Sequence, residues 1–133
     1  MAEPKTKPTD ADVDDFLAAV PHAGRRADAI AVDAMLREAT GSAPVVWGTS
    51  MVGYGEREQL DGRGRAASWP VVAFAPRRSE LVLYLHQDLD DAEFDGLGPH
   101  RRGVGCLYVK RLEALDPAVL RRLVARSVEL AQR

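Results

Sequence analysis

The sequence predicts a two-layer α+β domain, in which a mostly antiparallel sheet carries two N-terminal helices and a C-terminal helix on one face. Apolar residues recur at helical spacing near both ends of the chain, and short β-type runs separated by glycines fill the middle. A length of 133 residues suits a single hydrophobic core. We therefore expect one domain over residues 9–133, after a disordered tail over residues 1–8, which hold almost nothing apolar.

Three segments carry helix signals. The first helix is predicted to begin at a Thr9 cap, and the second to span residues 25–39 with Gly41 as its left-handed C-cap. The third opens with Asp116 as cap and Pro117 in the first turn. Both ends of the domain are therefore expected to be helical.

The central runs predict strands, whereas two polar segments at 56–68 and 88–95 predict surface loops. Side chains alternate across a strand, so one face of the sheet should take the leucines and meet the helices. The opposite face should be open and is the candidate functional surface. The predicted strands are 45–47, 51–54, 69–75, 81–86 and 106–110, and the side chains expected on the open face are Tyr84, His86, Cys106, Tyr108 and Lys110.

Composition excludes several classes of function. The formal net charge of −2 gives no overall attraction to nucleic acid, so we expect no such partner. The apolar runs are too short to cross a bilayer, and a single cysteine cannot form an internal disulfide. We therefore expect a cytoplasmic protein without a membrane partner, and a homodimer formed through the open face is left open.

The segment 98–105 is rich in glycine and arginine. Its glycines permit turns that point backbone N–H groups at an anion, and neighbouring cations add positive charge. The alternative is that the segment is only a flexible connection that crosses to the next strand. The cations of this loop are His100, Arg101 and Arg102. Together with Arg101 and Arg102, a basic patch is predicted from Arg77, Arg78, Lys110 and Arg111, the alternative being a scattered solvated surface. A pocket is predicted between the aromatic residues that bracket the glycine turns, Trp47, Trp69 and Tyr54, the alternative being that they belong to the core.

Four motifs resemble the YdhG-like family, a bacterial domain of unknown function: WGTSMVGYG at 47–55, FAPRR at 74–78, LVLY at 81–84 and LGPHRRGVGCLYVK at 97–110. The resemblance implies a compact fold that is frataxin-like in some relatives, and it implies iron as a cargo, since some relatives are described as intracellular iron chaperones. The chain departs from the family pattern at Pro99, Val104 and Gly105, where basic or hydroxyl side chains are usual. That departure argues against the idea that this loop binds one particular anion throughout the family.

Iron handling would require exposed carboxylates, because hard iron ions prefer oxygen ligands. Two acidic sets are candidates, one at the first helix and one in the loop 88–95. The alternative is that they stabilise a helix N-terminus or decorate the surface. The sets are Asp10, Asp12, Asp14 and Asp15, and then Asp88, Asp90, Asp91, Glu93 and Asp95.

Three functions follow, and no catalytic pair is evident. The first is a non-enzymatic binding or carrier module, handling iron if the family resemblance holds. The second is binding of a small anionic ligand or partner at the open face and the loop 98–105. The third is a cysteine-dependent enzyme, in which neighbouring histidine or arginine would activate Cys106. Whether the protein is an enzyme is therefore left open.

Overall fold

Among the described residues, three helices, one six-stranded antiparallel sheet and a separate two-stranded hairpin form an α+β fold. The computed structural model describes residues 7–60 and 63–132. The sheet order is β1-β2-β5-β6-β8-β7, and β3 pairs with β4. The elements are α1 Val13–Ala18, α2 Ala23–Thr40, β1 Pro44–Trp47, β2 Met51–Tyr54, β3 Arg57–Leu60, β4 Ala66–Trp69, β5 Val72–Pro76, β6 Leu81–Tyr84, β7 Arg101–Gly103, β8 Cys106–Val109 and α3 Pro117–Ala131.

Helix caps mark both ends of α2 and the beginning of α3. His22 caps α2 by accepting a hydrogen bond at Nδ1 from the Arg25 backbone N–H, and Gly41 ends it in the left-handed conformation at φ 66°. Asp116 caps α3 ahead of Pro117, as the sequence predicts. Of the described helices, none is long and apolar enough to cross a membrane.

The start of the chain differs from the prediction. Asp12, rather than Thr9, caps α1. Thr9 instead pairs with β1, since both its hydroxyl and its backbone N–H donate to the Val46 carbonyl. Lys7 and Pro8 were predicted to belong to the tail, but Lys7 accepts a backbone hydrogen bond and Pro8 bridges to β1. Residues 1–6 of the predicted tail lie outside the described residues.

The helices pack on one face of the sheet, which the sequence predicts from the alternation of leucines. Leu83 of β6 and Leu107 of β8 are fully buried on this face, in one cluster with Leu36 of α2 and Leu123 of α3. This cluster is the main core. We call the surface on the other side of the sheet the far face.

A polar contact lies inside the main core. The Tyr54 hydroxyl donates to Asp33 Oδ1 at 2.6 Å, and Arg37 pairs with the same carboxylate from the helix surface. Burial, together with the hydrogen bond to Asp33, raises the pKa of Tyr54 far above its ordinary value of 10.0. The prediction that Tyr54 walls a binding pocket is therefore wrong: it shares a face with Val52 and the helices.

The far face is not fully open, which corrects the prediction. A continuous row of paired residues crosses all six strands on this side: Val45, Gly53, Ala73, Tyr84, Cys106 and Gly103. Over Gly53 and Ala73 lies a second apolar cluster that contains Trp47 and Trp69. Because Trp69 belongs to β4, the β3–β4 hairpin covers this part of the sheet.

The predicted strand 69–75 is in fact two strands. Trp69 ends β4 and Val72 begins β5, with Pro70 between them, where the chain passes from the hairpin into the sheet. The predicted loop 56–68 contains most of that hairpin. The predicted loop 88–95 contains a single 3-10 turn at Asp91–Phe94.

Gly53→Ala should destabilise the fold by about 2 to 3 kcal/mol, the usual cost of overpacking a close-packed site. A Cβ at this position would lie 2.6 Å from Trp47 Nε1 and 2.8 Å from Pro70 Cβ, so the indole would have to move. Urea unfolding measures the difference. Gly103→Ala is the control, since its Cβ would meet nothing closer than 3.4 Å. Equal stability of the two variants would contradict the tight packing.

Tyr54→Phe should cost about 2 kcal/mol at neutral pH, because a buried charged acceptor loses a donor. The variant should also be less sensitive to alkali. In the wild type the unfolded tyrosine loses its proton near its ordinary pKa of 10.0 while the folded one keeps it, so stability falls as the pH rises above that value. Urea unfolding at pH 8 and pH 10.5, with Tyr84→Phe as the control, checks both effects. If Tyr54→Phe lost as much stability between pH 8 and pH 10.5 as the wild type does, the predicted effect of alkali would be refuted.

Candidate functional site

A groove lies on the far face between the β3–β4 hairpin and the ends of β6 and β8. Its volume is about 560 Å³. We call it the far-face groove. Its lining residues come from the β3–β4 hairpin, from the end of β6 with the segment that follows it, and from the turn between β7 and β8 with the start of β8. Among the described residues they include aromatic, apolar and cationic side chains but no carboxylate: Arg57, Leu60, Trp69, Tyr84, Leu85, His86, Gln87, Val104, Gly105 and Cys106.

Aromatic rings form the inner wall of the groove. Trp69 packs edge-on against Trp47 with ring centroids 6.4 Å apart, and against Tyr84 with centroids 6.3 Å apart. The Tyr84 hydroxyl accepts a hydrogen bond of 2.7 Å from Arg77 Nη2. Trp47 is fully buried beneath Trp69, so this predicted pocket residue supports the wall rather than forming it. Tyr84 is half-buried and remains accessible.

Arg57 is the cation of the far-face groove. It pairs with Trp69 across the hairpin, so both side chains lie on the same side of it. Its Nε atom is shielded from solvent, and within residues 7–60 and 63–132 it has no hydrogen-bond partner. Arg25, in the first turn of α2, also leaves guanidinium nitrogens unpartnered, so only the surrounding cavity distinguishes Arg57 as a site residue.

Cys106 and Tyr108 lie next to the groove on β8. A hydrogen bond with Cys106 and the negative charge of that side chain raise the pKa of Tyr108 above its ordinary value of 10.0, while the charges of Arg101 and Arg77 oppose the shift. The Arg101 guanidinium lies over the Tyr108 ring, 4.1 Å from its centroid. Cys106 is half-buried and also borders the groove beside His86. The predicted far-face residues of β8 are thus brought together.

A second groove of about 500 Å³ joins four predicted residues, His100, Arg101, Tyr108 and Lys110. Most of its cations already have partners. Arg101 forms an ion pair with Glu80, and His100 Nδ1 lies 2.7 Å from the Gly98 carbonyl oxygen. This groove therefore presents less uncompensated charge than the presence of His100, Arg101 and Lys110 suggests.

Two other predicted cations lie elsewhere. Arg102 packs over the Phe94 ring and pairs with Asp91, away from the aromatic wall. Arg78 is exposed between β5 and β6. Because residues 101–103 form a strand, the segment predicted to cradle an anion is one arm of the β7–β8 hairpin, and its backbone N–H groups follow β7 instead of converging on one point.

Several members of the two acidic sets have local structural roles. Asp12 caps α1, and Asp90 and Glu93 form a capping box around the 3-10 turn. Glu93 also contacts Arg126 of α3. Over the described part of the chain, no three His, Cys, Asp or Glu side chains come together in a group that would hold a metal ion. The structure therefore does not assemble either predicted iron-binding set.

No family model, curated protein or solved structure matches this chain. The resemblance to the YdhG-like family therefore stays a prediction. The function has to be argued from the site alone.

Sequence reasoning missed Arg57 and Leu60, which both belong to β3. The segment reads as a charged loop because its residues do not alternate between apolar and polar. One signal was present in the sequence: the dipeptide Asp61-Gly62 is a favoured hairpin turn between two short runs. The aromatic end of the second run, Trp69, indicates which side would be buried.

Cys106→Ala should lower the pKa of Tyr108 toward 10.0, because the hydrogen bond and the charge that raise it are removed. Arg101→Gln should shift the same pKa further upward, since a nearby positive charge is lost. NMR titration of the labelled tyrosine Cζ carbon measures both values. A Tyr108 pKa that does not change in either variant would contradict the contact between these side chains.

Proposed function

We propose that the protein is a non-enzymatic binding module that takes a small anionic ligand with a flat ring into the far-face groove. The observation that carries this proposal is the guanidinium Nε of Arg57, which is shielded and has no partner among residues 7–60 and 63–132, in a groove to which those residues contribute no carboxylate. Iron handling is not favoured, because several of the carboxylates it would need cap helices or form ion pairs, and the described residues bring no three potential metal ligands together.

The energetic argument concerns desolvation. A shielded donor without an acceptor costs about 1 to 3 kcal/mol, and more when the group is charged. A bound carboxylate or phosphate would supply the missing acceptor, and the planar guanidinium of Arg57 suits both groups. The described residues that line the groove include no acidic side chain that would take that place. An anionic ligand therefore relieves a cost that the fold otherwise bears.

We propose a ligand with a flat ring because one wall of the groove is aromatic. Trp69 and Tyr84 present ring surface to the groove, and the hydrogen bond from Arg77 holds the Tyr84 hydroxyl in place. Offset and edge-to-face contacts between rings contribute about 0.5 to 1.5 kcal/mol beyond the area they bury. The groove volume of about 560 Å³ lies within the range typical of small-molecule sites.

Arg57→Gln should weaken the binding of phenyl phosphate and benzoate by at least about tenfold, equivalent to about 1.4 kcal/mol, because the cation that contacts the ligand is lost. Titration followed by ¹H–¹⁵N NMR spectra measures dissociation constants into the millimolar range. Arg78→Gln is the matched control, since this arginine is exposed outside the groove, and its affinity should equal that of the wild type.

Two results would contradict the proposal. One is the absence of any saturable shift with either anion; the other is an equal loss of affinity in Arg57→Gln and Arg78→Gln, which would indicate non-specific charge attraction. A titration with oligothymidylate tests the competing partner, single-stranded nucleic acid, which would use the same aromatic rings. Tighter binding of the oligonucleotide than of phenyl phosphate would favour that partner over a small ligand.

A further inference from the structure

Two exposed hydrophobic side chains border the far-face groove. Among the described residues, the large hydrophobic side chains that stand out in solvent are Ile30 at 52%, Leu60 at 71% and Val104 at 87%. Leu60 and Val104 line the groove, whereas Ile30 lies on α2, on the helical side of the molecule. The far-face groove thus has two exposed apolar side chains at its rim.

The rim is built from the tips of two hairpins. Leu60 is the last residue of β3, and Val104 lies in the turn between β7 and β8. Isolated exposed apolar residues are common and need no explanation. Here, however, both residues line one cavity that also contains the unpartnered cation Arg57.

We propose that the ligand is amphiphilic, with an anionic head group at Arg57, a ring against Trp69 and Tyr84, and an apolar chain of several carbons between Leu60 and Val104. This inference rests on the proposed function and specifies the chemical class of its ligand. The chain would cover the two exposed side chains and remove apolar area from water, which stabilises the complex roughly in proportion to the area buried.

A soluble small molecule fits this site better than a second copy of the chain. An interface between copies needs a continuous apolar patch, but Leu60 and Val104 are on separate hairpins, and the polar side chains His86 and Gln87 also line the groove between those hairpins. A groove that contains a cation, an aromatic wall and an apolar rim instead matches the three parts of one amphiphile.

The test is a series of 4-alkylbenzoates, from benzoate through 4-ethyl and 4-butyl to 4-hexyl, each kept below its micelle concentration. Affinity for the wild type should rise about twofold to fourfold per methylene, the range expected when a CH₂ group is partly to fully buried. Leu60→Ser and Val104→Ser should each reduce this slope. Ile30→Ser is the matched control and should keep the wild-type slope. All three positions are exposed, so circular dichroism should show unchanged folding.

The outcomes separate the two proposals. If benzoate binds through Arg57 but the affinity does not increase with chain length, the amphiphile inference is wrong and the proposed function stands. If no member of the series binds, the inference fails, and the proposed function fails with it when phenyl phosphate does not bind either. Two further results would overturn the inference: binding to vesicles of anionic phospholipid but not to the soluble series, and a dimer in sedimentation experiments that Leu60→Ser or Val104→Ser dissociates.

Discussion

The close approach of Trp47 to Gly53 governs how the far face is built. No side chain larger than hydrogen fits at Gly53, because a Cβ there would lie 2.6 Å from the indole. The next residue of the same row is Ala73, so the middle of the sheet is shallow on this side. The two tryptophans fill that depression, and Trp69 thereby anchors the β3–β4 hairpin over the sheet. The groove is the space left between that anchored hairpin and the β7–β8 hairpin.

The arginines of the fold differ in how far their charge and hydrogen bonds are satisfied. On the helical side, Arg37 and the Tyr54 hydroxyl share the Asp33 carboxylate, so charge and hydrogen bonds are satisfied within the fold. On the far face, Arg77 has a hydroxyl partner and Arg101 a carboxylate partner. Arg57 differs from these, since its Nε is shielded and unpartnered among the described residues. Arg25 of α2 also has shielded guanidinium nitrogens without a described partner, so the proposal of binding at Arg57 depends on the cavity around it as well as on the cost of a buried donor.

Local signals in the sequence predict the helical layer well. The N-cap Asp116 of α3 and the C-cap Gly41 of α2 are chemical features of single residues, and the alternation in β6 correctly assigns its two faces. The β3–β4 hairpin has no such pattern, because its contact with the body includes Trp69, whose partners lie in β1 and β6. Long-range contacts of this kind leave little trace in local sequence. The site could be predicted only in part for the same reason, since its cation and half of its rim belong to that hairpin.

Arg57 lies opposite Trp69 on the β3–β4 hairpin. The proposed binding of an anion at Arg57 is therefore connected to the packing of this hairpin on the far face of the sheet. Trp69 is both the anchor of the hairpin and a wall of the groove, and Arg57 is its cross-strand neighbour. An anion that contacts Arg57 binds only the docked arrangement, because the groove does not exist without it. By linkage, such a ligand stabilises the docked hairpin by an amount that grows with the logarithm of its concentration above Kd. The two exposed rim residues, Leu60 and Val104, lie at the hairpin tips, where the fold leaves most of each side chain in solvent.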